Sequence, residues 1–337
     1  MARSDQRQRF VRSYQRSREA LRKLTDKSAK RLLKLLNEFE REVLNRLAFE
    51  APDDPDAPYD IRVIPALLAS IEEALAGLRT QGLDEIEKSL GKSFSLGSET
   101  VKAMVLGYAA QSFNPFISAG LLFSLARGSQ YIYTEMSQRL AAEIDRQVRL
   151  SAAGFQSNTE TMYQVSRAIA GSAEVASGAR LRTSFASQAE AILRTEVNRA
   201  FSSAHQASSE RAIEIIPDMK KSWLSSPGSR RGHKEAEDKY AVGGAVGPIP
   251  VSARFEVTDY SRIGTTEFLT VGRRGGQRVV KVKSYERRGS LITDFLLHPH
   301  DPEGSAGNVV NCTCTVINVL PDMEDGMDEI MDDIRSA

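Results

Sequence analysis

Leu297-His298-Pro299-His300-Asp301-Pro302-Glu303-Gly304, followed after Ser305 to Val310 by Asn311-Cys312-Thr313-Cys314-Thr315-Val316, carries both cysteines and two of the four histidines of a 337-residue chain. Prolines, glycine and acids crowd its first half, which therefore reads as a rigid polar loop. Cys312 to Val319 is β-rich enough for a closing strand. Working outward from this stretch, Arg278 to Val282 and Phe268 to Val271 flank Gly272-Arg273-Arg274-Gly275-Gly276-Gln277, the pattern of a hairpin. Val251 to Val257 and Lys221 to Leu224 read as further short strands, and 225–232 and 243–250 as loops. The chain from Pro217 to about 320 is thus expected to supply the short antiparallel strands of a small α+β domain.

Before Pro217 the pattern is helical. Phe185 to about Ile215 buries Ala189, Ile192, Leu193, Val197, Ala200, Phe201 and Ala204 on one face, at helical spacing. Glu196 lies beside that stripe as a paired, semi-buried carboxylate, and His205, one position off it, reads as a surface or cap-side histidine. Residues 5–48 form a long amphipathic helix with Phe10, Tyr14, Leu21, Leu24, Leu32, Leu35, Leu36, Phe39, Val43 and Leu47 on its stripe. Pro65 opens a second helix to about Leu90. Gly91 to Gly97 reads as a break, after which Ser98 caps a third helix. Helical pattern resumes from Ile117 to Leu150, and one short helix, Glu160 to Ile169, fits within a stretch of small residues. The expected fold class is mostly α: a helical domain at 1–150, a small-residue connector at 151–185, the α+β domain at 186–320 and an acidic tail at 321–337.

Composition narrows the classes. Lys plus Arg, 45, nearly equals Asp plus Glu, 44, so the whole molecule carries no strong field. Residues 1–35 are locally basic, with twelve Lys/Arg against three acids. Two cysteines in so long a chain exclude a disulfide scaffold. Cys312 and Cys314 are expected to be reduced and buried, in a protein made in a reducing cytoplasm. The uncharged run Ala103 to Ala126 is long enough to cross a bilayer, but Gln111, Ser112, Asn114 and Pro115 interrupt it, and a turn between buried helices is the better reading.

Three kinds of chemistry are weighed on these residues. His233, His298, His300, Cys312 and Cys314 are the side-chain types zinc uses, yet Cys-x-Cys is not the usual knuckle and His-Pro-His is stiff; no metal is expected. A Cys/His nucleophilic site lacks any local signature, and no phosphate-cradling loop leads into a helix. Residues 272–290 hold seven Lys/Arg against one acid, Glu286. Arg273, Arg274, Arg278, Lys281 and Lys283 are therefore the candidates for contact with DNA phosphates or a partner, weighed against a merely solvated hairpin tip.

Residues 186–320 also resemble the phage Mu F-like minor head proteins, the head-morphogenesis domain. Arg194-Thr195-Glu196-Val197-Asn198 is similar to the family's arginine–threonine–glutamate helix start. Trp223 with Arg230-Arg231-Gly232-His233 is similar to its tryptophan and arginine-x-x-histidine segment. Pro299-His300-Asp301-Pro302 with Gly304 to Cys314 is similar to its closing loop and asparagine–cysteine–arginine–cysteine signature, Thr313 standing at the arginine. The resemblance implies a non-enzymatic, low-copy protein of a tailed-phage or prophage head in the virion. Its implied partners are the portal protein, the major capsid or scaffold protein and packaged double-stranded DNA, with a role in DNA ejection. The alternative is an enzyme or toxin-like module with a Cys/His or zinc site. Glu196, Arg230, His233, Asn311, Cys312 and Cys314 are expected to form an internal polar network tying the closing loop to the long helix.

Overall fold

The computed structural model describes residues 3–109, 113–115, 117–171, 184–226, 228–261, 264–274, 277–287, 290–321, 329–331 and 334, without side chains at 3–7 and 264–287. The chain is mostly helical, with long helices first and short antiparallel strands in its C-terminal part. The helices are α1 (Arg3–Phe49), α2 (Ile64–Ala109), α3 (Ala119–Ala152), α4 (Asn158–Ile169), α5 (Phe185–Ala212), α6 (Arg231–Tyr240) and α7 (Ala306–Val309). The strands are β1 (Lys220–Leu224), β2 (Ile249–Pro250), β3 (Phe255–Asp259), β4 (Gly264–Arg274), β5 (Gln277–Arg287), β6 (Ile292–Leu296) and β7 (Thr315–Val319). No helix among the described residues is long and apolar enough to cross a membrane.

Two compact units emerge. One joins residues 1–24, 90–122 and 195–337; the other joins 25–89 and 123–194. The second is helical throughout. Leu32, Leu36, Phe39, Val43 and Leu47 of α1 are buried at spacings of three and four, as are Tyr133, Met136, Leu140, Ile144 and Val148 of α3. Each fully buried leucine or phenylalanine contributes roughly 1.5–3 kcal/mol. Polar anchors join these helices. Tyr59 donates its hydroxyl to Leu47 O and its backbone N–H to Ser151 Oγ. Helix α4 begins two residues before its expected start because Ser157 Oγ accepts the Glu160 N–H at 3.1 Å, within a Ser-x-x-Glu capping pattern.

The expected break at Gly91–Gly97, with its Ser98 cap, does not occur: α2 runs unbroken from Ile64 to Ala109. Gly97 is a point of close approach. A Cβ there would stand 2.3 Å from Phe201 O of α5, and Ser93 Oγ, one turn earlier, donates to Val197 O at 2.6 Å. Backbone-level packing of this kind offsets the cost of about 1 kcal/mol that a glycine imposes on a helix.

The unit holding the C-terminal strands is built around a three-stranded antiparallel sheet of order β2-β1-β7, with Trp223 opposite Val316 and Leu224 opposite Thr315. Strands β3 and β6 form a second antiparallel pair, and β4 and β5 the expected hairpin, longer than its apolar core suggested. Leu224, Ile317 and Val319 join one core with Phe10, Tyr14, Val101 and Met104. Trp223 and Val316 join another with Phe255, Tyr240, Cys312 and Cys314. Ile330, Met331 and Ile334, in the stretch read as an acidic tail, are buried in the first of these cores.

Two expectations need correction here. Residues 231–240 form a helix, although Arg231 and Gly232 were expected to lie in the loop 225–232. Its buried positions, Gly232, His233, Ala236, Glu237 and Tyr240, keep helical spacing, but they are too polar to stand out as an apolar stripe. His205 is buried, 2 % exposed, and not a surface or cap-side residue. Tyr14 Oη accepts the Asn318 N–H at 3.0 Å and lies 3.0 Å from His205 Nε2. The tyrosine hydroxyl therefore donates to an unprotonated Nε2, and α1, α5 and β7 meet at one neutral histidine.

Burial holds the His205 pKa down to about 3. The unfolded value is about 6.5, so the unfolded chain binds the extra proton. The stability this neutral histidine preserves is complete above pH 6.5 and is lost as the pH falls toward 3. At pH 5 the loss is about 2 kcal/mol. Denaturant unfolding at pH 7 and pH 5 is expected to show this drop in the wild-type protein and a smaller one in His205→Gln. Equal drops would refute the assignment.

Candidate functional site

The site assembles where the loop 297–314 crosses α5, α6 and β1. The loop has little regular structure, so its backbone groups need partners supplied from outside. Lys221 Nζ on β1 donates to Leu297 O at 2.6 Å. Arg199 Nε on α5 donates to His300 O at 2.9 Å. The Arg230 guanidinium donates to both Gly307 O and Val310 O. Thr195 Oγ1 accepts the Asn311 N–H at 3.0 Å. Asp301 folds the loop on itself, its carboxylate accepting the N–H of Leu297 and of Glu303. His300 and Asn311 sit at positive φ, 68° and 54°, conformations that such ties maintain.

Glu196 is buried and pairs with Arg199 at 2.6 Å, so the arginine that holds His300 O is itself held. Among the expected network residues, Glu196 reaches the loop through Arg199 and Arg230 touches it directly. Asn311 does so through its backbone, its Oδ1 having no hydrogen-bond partner among the described residues. The side chains of Arg273, Arg274, Arg278, Lys281 and Lys283 lie outside the described residues. Sequence reasoning missed Thr195, Arg199 and Lys221. Thr195 stands in the Arg194-Thr195-Glu196 block of the family resemblance but was not assigned to the network, and Arg199, between the apolar Val197 and Ala200, had no signal of its own. Lys221 had none, since a fully buried lysine is rare. Burial pulls its pKa down to about 7, and Gln206 Oε1 and Leu297 O accept from it.

The histidines divide sharply. His298 donates Nδ1–H to Pro299 O at 2.7 Å, and its Nε2 lies 3.4 Å from Ser203 Oγ. His300 donates Nε2–H to Cys312 O at 2.7 Å, and its Nδ1 lies 3.4 Å from Ser202 Oγ. Burial lowers the pKa of both, that of His300 to about 4. Both rings are neutral, with each nitrogen engaged, and among the described residues neither makes a hydrogen bond to a cysteine sulfur.

His233 does. From the first turns of α6 its Nδ1 lies 3.3 Å from Cys314 Sγ and 3.6 Å from Cys312 Sγ. Its Nε2 has no hydrogen-bond partner among the described residues. The Trp223 ring packs edge-on against the imidazole at 5.6 Å. The Cys314 N–H points at Cys312 Sγ, 3.3 Å away, and Ser229 Oγ lies 3.4 Å from Cys314 Sγ. Both cysteines are free thiols. The hydrogen bond from Cys312 holds the Cys314 thiol well below the usual range, with His233 and Ser229 adding to it. Burial pushes the Cys312 thiol well up. Two sulfurs and one imidazole nitrogen, all buried, form the only group of three or more metal-ligating side chains of this kind among the described residues.

Compared with known families, curated proteins and solved structures, the chain matches none.

Proposed function

We propose that the chain is a minor structural protein of a tailed-phage or prophage head. In this reading it associates with the portal protein and with the major capsid or scaffold protein during assembly, and contacts packaged DNA or aids its ejection. One observation carries the reading: residues from all three sequence blocks that resemble the head-morphogenesis domain bond to the same loop. Thr195 belongs to the first block, Arg230 and His233 to the second, and His300, Asn311 and the cysteines to the third. Buried ties of this kind hold a surface loop in one conformation, as a protein that presents a fixed assembly surface requires. The basic hairpin at 264–287 suits nonspecific contact with DNA phosphates.

The test is mass spectrometry of particles from the phage or induced prophage that encodes the chain. It is expected at low copy number in purified virions or in empty precursors, and in complex with the portal when the two are coexpressed. Absence from both kinds of particle would overturn the proposal.

A further inference from the structure

A neutral imidazole nitrogen offers one lone pair or one proton. His233 Nδ1 nevertheless faces two sulfurs at 3.3 and 3.6 Å, and a single hydrogen bond satisfies only one of them. In a tetrahedral zinc centre with Zn–S of about 2.3 Å and Zn–N of about 2.0–2.1 Å, the nitrogen-to-sulfur edge is about 3.6 Å. The two observed separations fall at that edge. Both sulfurs and the nitrogen lie within 4.8 Å of one another, and all three side chains are buried.

From this geometry we infer that His233 Nδ1, Cys312 Sγ and Cys314 Sγ bind one thiophilic divalent metal ion of the zinc class. The ion takes one lone pair from each donor, and the thiol protons pass to solvent as it binds. The Cys314 N–H directed at Cys312 Sγ is the type of contact that supports a metal-bound thiolate. Ser229 Oγ, 3.4 Å from Cys314 Sγ, stands beside the set as an oxygen donor, and it or a water fills the fourth position. His298 and His300, the histidines nearest the cysteines in sequence, are excluded because their nitrogens already serve Pro299 O, Ser203, Cys312 O and Ser202. A buried ion of this sort is structural: it clips the start of α6 to the residues that lead into β7. The inference stands independently of the head-protein reading, since it rests only on the donor geometry.

Full-length protein without a histidine tag, purified in the absence of chelators from zinc-supplemented cells, is expected to carry about one equivalent of zinc by elemental analysis. Cys312→Ser and Cys314→Ser are each expected to lose most of it while keeping their helical circular dichroism. Should either variant fail to fold, wild-type protein stripped with a chelator and titrated with Co²⁺ decides the matter. One equivalent is expected to produce the thiolate-to-cobalt charge-transfer absorption, which zinc then abolishes. Wild-type protein with neither zinc nor the cobalt absorption would overturn the inference, as would folded cysteine variants that retain the full metal content.

Discussion

Gly97→Ala is expected to destabilise the protein by about 1–3 kcal/mol, although alanine is the better helix former. The new Cβ would stand 2.3 Å from Phe201 O and 3.1 Å from His205 N, both backbone atoms of α5 that cannot swing aside. Gly97→Val adds β-branching to the same clash and costs more. Gly91→Ala supplies the contrast. It lies on the same helix with nothing within 4 Å of the added methyl, so it is expected to gain up to about 1 kcal/mol. Trp223, the only tryptophan and fully buried, makes urea unfolding followed by fluorescence the natural measurement. A stabilising Gly97→Ala would show that this position is an ordinary flexible glycine and that α2 does not press on α5 there.

Arg230→Ala is expected to cost about 2–4 kcal/mol by the same measurement. Its guanidinium supplies donors to two loop carbonyls, Gly307 O and Val310 O, and stands near the Asp259 carboxylate. Truncation leaves both carbonyls without that donor and the carboxylate without that cation. Arg230→Lys restores the charge but not the planar fork, and is expected to recover less than half of the loss. An unchanged unfolding midpoint in Arg230→Ala would mean that the loop 297–314 is held by its other ties alone.

The helices were legible because helical pattern is local. Phe10, Tyr14, Leu32, Leu36, Phe39, Val43 and Leu47 declare the buried face of α1 through spacing alone, and α3 and α5 do the same. The hairpin of β4 and β5 was legible for a similar reason, since its glycines lie between two β-branched runs. Helix α6 was hidden: three of its five buried residues are glycine, histidine and glutamate, which add nothing to an apolar periodicity. Strand β6, Ile292–Leu296, went unread beside the loop because Thr293 and Asp294 dilute a run of only five residues.

By itself, then, the sequence determined the order of long helices and short strands, and the concentration of reactive side chains near the C-terminus, because periodicity and composition act over a few residues. Only the tertiary structure decided that Gly97 continues a helix, since the reason lies in the backbone of α5. Likewise, only the fold selected the histidine that meets the cysteines. Chain proximity favoured His298 and His300, twelve to sixteen residues from Cys312 and Cys314. Serines of α5 and backbone carbonyls engage both rings, while α6 brings His233 across some eighty residues of chain to the two sulfurs. Which side chains meet depends on how elements pack, and packing is settled by surfaces that are far apart in the chain.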